Sequence, residues 1–250
     1  MRPLFAYWHE FAARLSTSQT IALFLDFDGT LAPFRARPEQ VRLLPGVRRT
    51  LAALTRSSRW RLWVISARRR ADIRARVGVP AIRYLGLYGW ERGFLPSPRG
   101  GPVARVKETL AASLPHHPAI WIEDKQYSLA VHYRGAPDAV RRIAIDRVYR
   151  AAERWRGQLR VAPGECIREI LPRGLADKGA AVRRELAGLN KPAFAVYIGD
   201  GHSDEAAFAA LGSRGLGIHV GGPSHTRAQY RVANPEQVHH FLEKLRTELL

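Results

Sequence analysis

The segment at residues 21–33, IALFLDFDGTLAP, constrains the fold more than any other part of the chain. Its apolar run predicts a buried strand, and Asp26 and Asp28 follow at the carboxyl end of that strand. Open α/β sheets carry their chemistry where the carboxyl ends of the strands meet. Because side chains alternate along an extended chain, we expect both carboxylates to point the same way. Gly29 allows a tight turn directly after them.

Two carboxylates this close repel each other, which predicts a cation between them. Hard oxygen ligands of this kind suit Mg²⁺. The alternative interpretation is a strand that merely ends in an Asp-Gly turn. The match to DxDGT at every position favours the functional interpretation.

Length and composition bound the class of protein. A chain of 250 residues, 46% of them hydrophobic, suits one large domain or a core with a modest second domain. The net charge of +18 raises the possibility of nucleic-acid binding. However, the arginines are spread along the whole chain, so a generally Arg-rich composition is the simpler explanation. We expect no nucleic-acid partner, and a positive field that attracts an anionic substrate.

Several features predict a cytoplasmic protein without a membrane partner. No apolar run approaches the ~20 residues of a membrane helix. The N-terminal residues lack a signal-peptide layout. Their apolar positions, from Leu4 to Leu15, instead follow helical spacing. Cys166 is the only cysteine, so no intrachain disulfide can form. The oligomeric state is left open.

The rest of the chain alternates between strand and helix patterns. We expect a strand at 62–66, one at 82–88 and a Pro/Gly-rich linker at 96–102. An αββαββ pattern follows, with helices at 103–114 and 137–155 and strands at 119–123, 127–133, 158–162 and 166–171. The last part predicts a helix at 177–189, a strand at 193–199, a helix at 204–211, a strand at 217–220 and a final helix that begins at Asn234 and Pro235.

These patterns predict an α/β protein with a Rossmann-like parallel-sheet core and an inserted α/β domain. Residues 1–100 and 174–250 would form the core, and residues 101–173 the inserted αββαββ domain. Only residues 29–65 separate Asp28 from Ser66, too few for an inserted domain. Residues 69–177, between Arg68 and Lys178, give enough room for one.

Three further segments complete a set of candidate site residues. Ser66 ends the strand of VISARRR, and Lys178 in LADKGAAV begins a helix whose backbone amides favour an anion. In YIGDGHSDEAAF an apolar strand leads to Asp200, and Asp204 follows four residues later. Taken singly, a strand-end serine or a helix lysine is a weak signal. The order of all four segments along the chain is what makes them specific.

Together these segments resemble the four motifs of the haloacid dehalogenase phosphatases. The resemblance implies that Asp26 is the nucleophile, which becomes an aspartyl phosphate, and that Asp28 is the general acid and base. Such covalent and proton-transfer roles suit carboxylates. It also implies that Thr30, Ser66 and Lys178 bind the phosphate. Mg²⁺ would be bound by Asp26, the backbone carbonyl of Asp28, and Asp200. Asp204 would lie outside the metal ligands and hold Lys178 or a metal-bound water.

The inserted segment narrows the resemblance. IEDKQYSLAVHYR at 122–134, GECIREILPRGLADKG at 164–179 and the C-terminal residues 218–242 resemble the trehalose-6-phosphate phosphatase family. The resemblance implies Mg²⁺-dependent hydrolysis of trehalose 6-phosphate, a small-molecule sugar phosphate. The residues it implies for binding the sugar are Arg68, Tyr88, Glu123, Lys125, Arg134 and Glu169. Charged groups suit sugar hydroxyls because charge-assisted hydrogen bonds are strong.

Three positions depart from the pattern of that family. Ala67 replaces the glycine of the usual Ser-Gly-Arg. Tyr88 replaces the histidine of GxHG, and Gly201 replaces the second Asp of GDDxTDE. Two alternatives therefore stay open. One is a phosphatase of another glycosyl phosphate, such as sucrose phosphate or glucosylglycerol phosphate. The other is a basic nucleic-acid-binding protein on a phosphatase scaffold, which the intact catalytic set disfavours.

Overall fold

The computed structural model of this chain describes residues 1–35, 37–93, 100–164, 166–223 and 225–249. The chain forms two compact units, Met1–Gly93 with Ala176–Leu250, and Phe94–Leu175. The expected linker at 96–102 lies largely outside the described residues, and Pro102 at its end begins a helix. None of the described helices is long and apolar enough to cross a membrane.

The bounds of the regular elements are as follows. The described strands are β1 (Arg2–Pro3), β2 (Ile21–Leu25), β3 (Trp60–Ile65), β4 (Arg83–Leu85), β5 (Trp121–Asp124), β6 (Leu129–His132), β7 (Leu159–Gly164), β8 (Ile167–Pro172), β9 (Phe194–Gly199), β10 (Gly215–Val220) and β11 (Tyr230–Val232). The described α-helices are α1 (Trp8–Ser16), α2 (Val47–Leu54), α3 (Arg70–Val77), α4 (Pro102–Ser113), α5 (Asp138–Glu153), α6 (Lys178–Ala187), α7 (Glu205–Ala210) and α8 (Pro235–Glu248).

The first unit is built on a parallel sheet with the strand order β1-β11-β10-β9-β2-β3-β4. Every residue of β2 is buried, because apolar side chains pack on both faces of the sheet. The second unit contains a separate antiparallel sheet in the order β5-β6-β8-β7. The predicted fold class, a parallel α/β core with an αββαββ segment between its parts, is confirmed.

The topology of the first unit fixes where a ligand can bind. From β2 the chain adds β3 and β4 on one side, and β9, β10 and β11 lie on the other side. The neighbouring strands β2 and β9 therefore form the point where the strand order reverses. Open α/β sheets bind ligands outside the carboxyl ends of the strands at such a point.

Two predicted elements differ from the structure. The strand expected at 82–88 is shorter, because β4 ends at Leu85 and a 3₁₀ turn follows over Leu87–Gly89. The helix expected at 204–211 begins with the 3₁₀ turn His202–Asp204, and only Glu205–Ala210 is α-helical. Both changes lie at carboxyl ends of strands, where local hydrogen bonds to loop residues compete with regular structure.

The predicted N-terminal helix is present as α1, and it closes one face of the sheet. The ring of Phe11 meets the rings of Tyr230 and Phe241 edge to face, with centroids 5.4 and 5.5 Å apart. Phe241 belongs to α8, which begins as predicted, because the Asn234 side chain accepts a hydrogen bond from the backbone N–H of Gln237 at 2.9 Å.

The sheet of the second unit has two chemically different faces. Leu129, Val131 and Ile170 belong to an apolar cluster with residues of α4 and α5. Alternation along the strands places Glu123, His132 and Glu169 on the opposite face. Those three residues therefore lie on the sheet face that the unit's own helices do not cover.

Phe11→Ala should lower the free energy of unfolding by about 3–5 kcal/mol, because it leaves a cavity in a fully buried aromatic cluster. Urea denaturation of the whole chain measures this. Ile143→Ala is the matched control, since Ile143 is an exposed apolar residue of α5 and its truncation should change the value little. Equal effects of the two substitutions would contradict the packing described for α1.

Candidate active site

The carboxyl ends of β2 and β9 bring acidic side chains together. Asp26 follows β2, and its backbone N–H donates to the carbonyl of Ile198 in β9 at 2.9 Å. Carboxylate oxygens of Asp26, Asp200 and Asp204 all lie within 4.8 Å of one another. Segments that are far apart in sequence meet here because β2 and β9 are neighbours in the sheet.

Two glycines allow this close approach. Gly29 has a φ of +80°, and a Cβ on it would lie 2.4 Å from Oδ2 of Asp200. A Cβ on Gly199 would lie 2.3 Å from Cγ of Asp204. Both distances are far shorter than van der Waals contact. The glycines of DxDGT and GDxxxD are therefore required by the packing of backbone against carboxylates, in addition to any need for a turn.

Lys178 lies between two of these carboxylates. It is the first residue of α6, and the N-cap residue Asp177 accepts a hydrogen bond from the backbone N–H of Ala180 at 2.7 Å. Its Nζ lies 2.8 Å from Oδ1 of Asp26 and 2.7 Å from Oδ1 of Asp204. Burial opposes the charged form, but the two carboxylates outweigh it and raise the pKa of Lys178. The side chain therefore remains an ammonium group.

Asp204 is fully buried, and donors surround its carboxylate. Oδ1 accepts from Nζ of Lys178 and from the hydroxyl of Tyr197 at 2.6 Å, and Oδ2 accepts from the backbone N–H of Gly201 at 2.9 Å. Sequence analysis missed Tyr197, because an aromatic residue inside an apolar strand is read as core. The signal available was the need of a buried phenol for a hydrogen-bond partner. This arrangement suits Asp204 for orienting Lys178.

The carboxylates repel one another in a buried setting. Burial, and then the charges of Asp204 and Asp200, raise the pKa of Asp26 well above its usual range, although Lys178 opposes the shift. Burial and the charge of Asp204 raise the pKa of Asp200 to about 6. Burial is the main cause of both shifts, and the neighbouring carboxylates add to it.

These residues fit a divalent cation. Three carboxylates against one ammonium leave two negative charges in one cluster, and all the donor atoms are hard oxygens. Asp26 and Asp200 are the members whose oxygens are best suited to a metal, because three donors already bind Asp204. Thr30 supports Asp200, since its Oγ1 donates to Oδ1 of Asp200 at 3.3 Å.

Asp28 is placed differently from the other acidic residues. Nε and Nη2 of Arg68 donate to its two carboxylate oxygens, each at 2.7 Å. Nη1 of Arg68 donates to Asp72 at 2.9 Å, and Nη2 also donates to the carbonyl of Pro38 at 3.0 Å. The prediction that Arg68 binds substrate is not tested by these contacts. They show that its guanidinium is bound to Asp28 and Asp72.

Ser66 follows β3 and is buried. Its hydroxyl accepts from the backbone N–H of Arg68 at 3.1 Å, which leaves the hydroxyl able to donate to an anion. The carbonyl of Ser66 accepts from the backbone N–H of Tyr88 at 2.9 Å. The segments that carry two predicted site residues, Ser66 and Tyr88, are therefore bonded to each other.

The backbone around Tyr88 is strained. Leu87 and Tyr88 have φ values of 49° and 61°, a left-handed conformation that costs roughly 1–2 kcal/mol for each residue with a side chain. The buried Glu91 fixes this turn, because its carboxylate accepts from Arg69 at 2.9 and 2.8 Å and from the backbone N–H of Arg70 at 2.7 Å. The surrounding contacts thus impose a conformation that the sequence alone does not favour.

The second unit brings together three of the four residues predicted there. Nζ of Lys125 lies 2.9 Å from Oε1 of Glu169 and 3.9 Å from Oε2 of Glu123, and both Lys125 and Glu169 are buried. Nε2 of His132, which sequence analysis did not single out, lies 3.0 Å from the same Oε2 of Glu123. Arg134 follows β6 and is exposed.

A sequence model of the trehalose-phosphatase family matches residues 24–236. The chain belongs to this family. Among its relatives, the trehalose-phosphate phosphatase of Mycobacterium bovis is 33% identical over 251 aligned residues, which cover 91% of this chain. The chain spans 62% of the length of that relative. The predicted family is thereby confirmed.

Solved structures agree with the family at the level of the fold. The C-terminal domain of trehalose-6-phosphate phosphatase from Candida albicans superimposes with a TM-score of 0.78 and 21% identity, covering 95% of this chain and 96% of that one. A haloacid dehalogenase-like hydrolase from Bacteroides thetaiotaomicron superimposes with a TM-score of 0.62 and 14% identity, covering 90% and 99% of the two chains.

Gly201 is the departure from the family pattern that the structure explains best. A Cβ on Gly201 would meet only Oδ2 of Asp204, at 3.7 Å, which is ordinary contact. Space for a side chain is therefore present. The backbone N–H of Gly201 still donates to Asp204, so the loss of the usual second aspartate leaves the Lys178 site intact.

Lys178→Met should lower the free energy of unfolding by about 3–5 kcal/mol at neutral pH, because it leaves buried carboxylates without their partner. Chemical denaturation measures the effect. Lys191→Met is the matched control, since Lys191 is exposed. The loss should shrink as the pH falls, because protonated carboxyl groups no longer need the ammonium. An unchanged stability in Lys178→Met would show that the buried ion pairs do not hold the site together.

Proposed function

We propose that this chain is a Mg²⁺-dependent phosphatase that hydrolyses trehalose 6-phosphate to trehalose and phosphate. The observation that carries the proposal is the buried Lys178 between Asp26 and Asp204 at the strand-order reversal. Membership of the trehalose-phosphatase family supports the sugar.

In the proposed reaction a carboxylate oxygen of Asp26 bonds to phosphorus while the bond from phosphorus to the sugar oxygen breaks. Asp28 gives its proton to that oxygen. Asp28, now a carboxylate, takes a proton from the water that hydrolyses the aspartyl phosphate, and both residues return to their starting forms. In the structure both oxygens of Asp28 accept from Arg68, the arrangement of an ionised carboxylate. Before it can give a proton to the sugar oxygen, Asp28 must therefore separate from Arg68 and take up a proton from solvent.

The proposed reaction also depends on the charges that surround Asp26. Asp26 must be ionised to attack, yet burial raises its pKa. The ammonium of Lys178, 2.8 Å away, favours the carboxylate and would also attract the phosphate. Mg²⁺ bound by Asp26, the carbonyl of Asp28, and Asp200 would offset the remaining negative charge and that of the phosphate oxygens. Ser66 would bind a phosphate oxygen through its hydroxyl. Thr30 would do the same once its hydroxyl no longer donates to Asp200.

The residues proposed to bind the sugar lie in two places. Glu123, Lys125 and Glu169 form one charged cluster of the second unit, and exposed Arg134 lies near it in sequence. Tyr88 lies in the strained turn after β4.

The decisive experiment is a phosphate-release screen with Mg²⁺ over trehalose 6-phosphate, sucrose 6-phosphate, glucosylglycerol phosphate and a small aryl phosphate. A preference for trehalose 6-phosphate supports the proposal, and a preference for another sugar phosphate overturns the choice of sugar.

Asp26→Asn should reduce kcat on every accepted substrate by about a thousandfold or more, a barrier increase of at least ~4 kcal/mol, because an amide cannot accept the phosphoryl group. Steady-state phosphate release measures it, and circular dichroism checks the fold. Asp146→Asn, an exposed change on α5, is the control. Near-normal turnover by folded Asp26→Asn would remove Asp26 as nucleophile.

Chelation should abolish activity, and Mg²⁺ should restore it. Asp200→Ala should eliminate activity or raise the Mg²⁺ concentration required. An independent readout is the melting temperature, because a ligand that binds only the folded state at 100 times its Kd stabilises that state by ~2.7 kcal/mol. Mg²⁺ should raise the melting temperature of the wild type and of Asp146→Ala but not of Asp200→Ala. Full activity in metal-free buffer would contradict the metal site.

A further inference from the structure

We propose that His132 is a positioning residue that orients the carboxylate of Glu123. Trp121 stacks on the imidazole ring of His132 and keeps that ring in the plane from which it reaches Glu123. The inference rests on the proposed function in one respect, the assignment of Glu123 to sugar binding. It assigns a role to two side chains that are not among the residues implied for catalysis or sugar binding.

The strand register places these residues side by side. Trp121 pairs with His132 across β5 and β6, and Glu123 pairs with Ala130 in the next row of the same sheet face. Directly opposed side chains on one face are about 5 Å apart, and diagonal neighbours are roughly 7–8 Å apart, within reach of aromatic and long side chains. The ring of His132 can therefore contact Trp121 directly and reach Glu123 diagonally. The placement is therefore a property of the backbone pairing.

The ring of His132 lies parallel to the ring of Trp121. It stacks on the indole ring of Trp121 with centroids 3.8 Å apart and an interplanar angle of 2°. Stacking fixes the plane of the ring, and the contact with Glu123 selects the flip that turns Nε2 toward the carboxylate. Nε2 then lies 3.0 Å from Oε2 of Glu123. Since an ionised carboxylate only accepts hydrogen bonds, Nε2 must carry the proton in this contact.

Distances distinguish the two nitrogens that approach Oε2 of Glu123. Nζ of Lys125 lies 3.9 Å from this oxygen, beyond a normal hydrogen bond, and 2.9 Å from Oε1 of Glu169. The lysine therefore interacts more closely with Glu169 than with Glu123. Nε2 of His132, at 3.0 Å, is within hydrogen-bond distance of the same Oε2. Of these two nitrogens, it is therefore the one from His132 that fixes the direction of the carboxylate.

The test uses variants that remove the hydrogen-bond donor and the ring stacking separately. His132→Phe keeps the aromatic contact and removes the donor, His132→Gln restores a donor without the ring, and Trp121→Leu removes the stack. His116→Phe is the matched control, because it makes the same change at an exposed histidine of the same unit. For each variant, kcat and KM are measured on the sugar phosphate that the wild type hydrolyses best and on a small aryl phosphate.

We expect His132→Phe to lower kcat/KM about ten- to a hundredfold on the sugar phosphate and less than twofold on the aryl phosphate. The loss should appear mainly in KM, His132→Gln should recover most of it, and Trp121→Leu should lose several-fold. Equal losses on both substrates, or a fall in melting temperature without a change in selectivity, would show that His132 is only structural and overturn the inference.

The outcomes also distinguish this inference from the proposed function. If the wild type prefers a different sugar phosphate, trehalose 6-phosphate is wrong as the substrate, but the role of His132 is still tested on the preferred sugar. If trehalose 6-phosphate is preferred and His132→Phe behaves like His116→Phe, the inference alone fails. A wild type that hydrolyses no sugar phosphate overturns both.

Discussion

The structure of the first unit depends on one buried charge, the ammonium of Lys178. A buried lysine is costly unless it is paired and hydrogen-bonded, and here two carboxylates at 2.7 and 2.8 Å supply the pairing. Those carboxylates come from the ends of β2 and β9, so the ion pairs join two strand ends to the start of α6. The glycines at 29 and 199 are needed because the backbone must approach the same cluster of carboxylates. Fold and chemistry are thus fixed by the same contacts.

Much of this site could be predicted because its residues stand at ends of apolar runs. A continuous apolar strand followed by Asp26, and another followed by Asp200, is enough to place both at one edge of a parallel sheet. The partners of individual side chains could not be predicted in this way. Arg68 binds Asp28, and Tyr197 binds Asp204, through pairings in three dimensions that no local spacing encodes.

Among the elements that the sequence analysis did not predict, the short strands and one turn have clear physical causes. Strands β1 and β11 comprise two and three residues, too few to show any periodicity, and they form only because the edge of the sheet is available to pair with them. The largely apolar sequence of Leu87–Gly89 is compatible with the end of a strand, whereas the chain forms a 3₁₀ turn there. Its positive φ values depend on Glu91, a residue whose partners, Arg69 and Arg70, lie at the start of α3.

Buried charges recur at three places where candidate site residues are positioned. Lys178 joins the ends of two core strands to α6, Glu91 joins the turn that carries Tyr88 to the loop after Ser66, and Lys125 bridges carboxylates on separate strands of the second unit. A charge with two or more fixed partners determines where its hydrogen-bonding atoms point, because hydrogen bonds weaken steeply when they are bent. The apolar clusters therefore supply most of the stability, whereas the buried ion pairs determine where individual oxygens and nitrogens lie. The stacking of His132 on Trp121 contributes to positioning in the second unit. The indole ring fixes the plane of the histidine ring, and Nε2 of His132 then orients the carboxylate of Glu123.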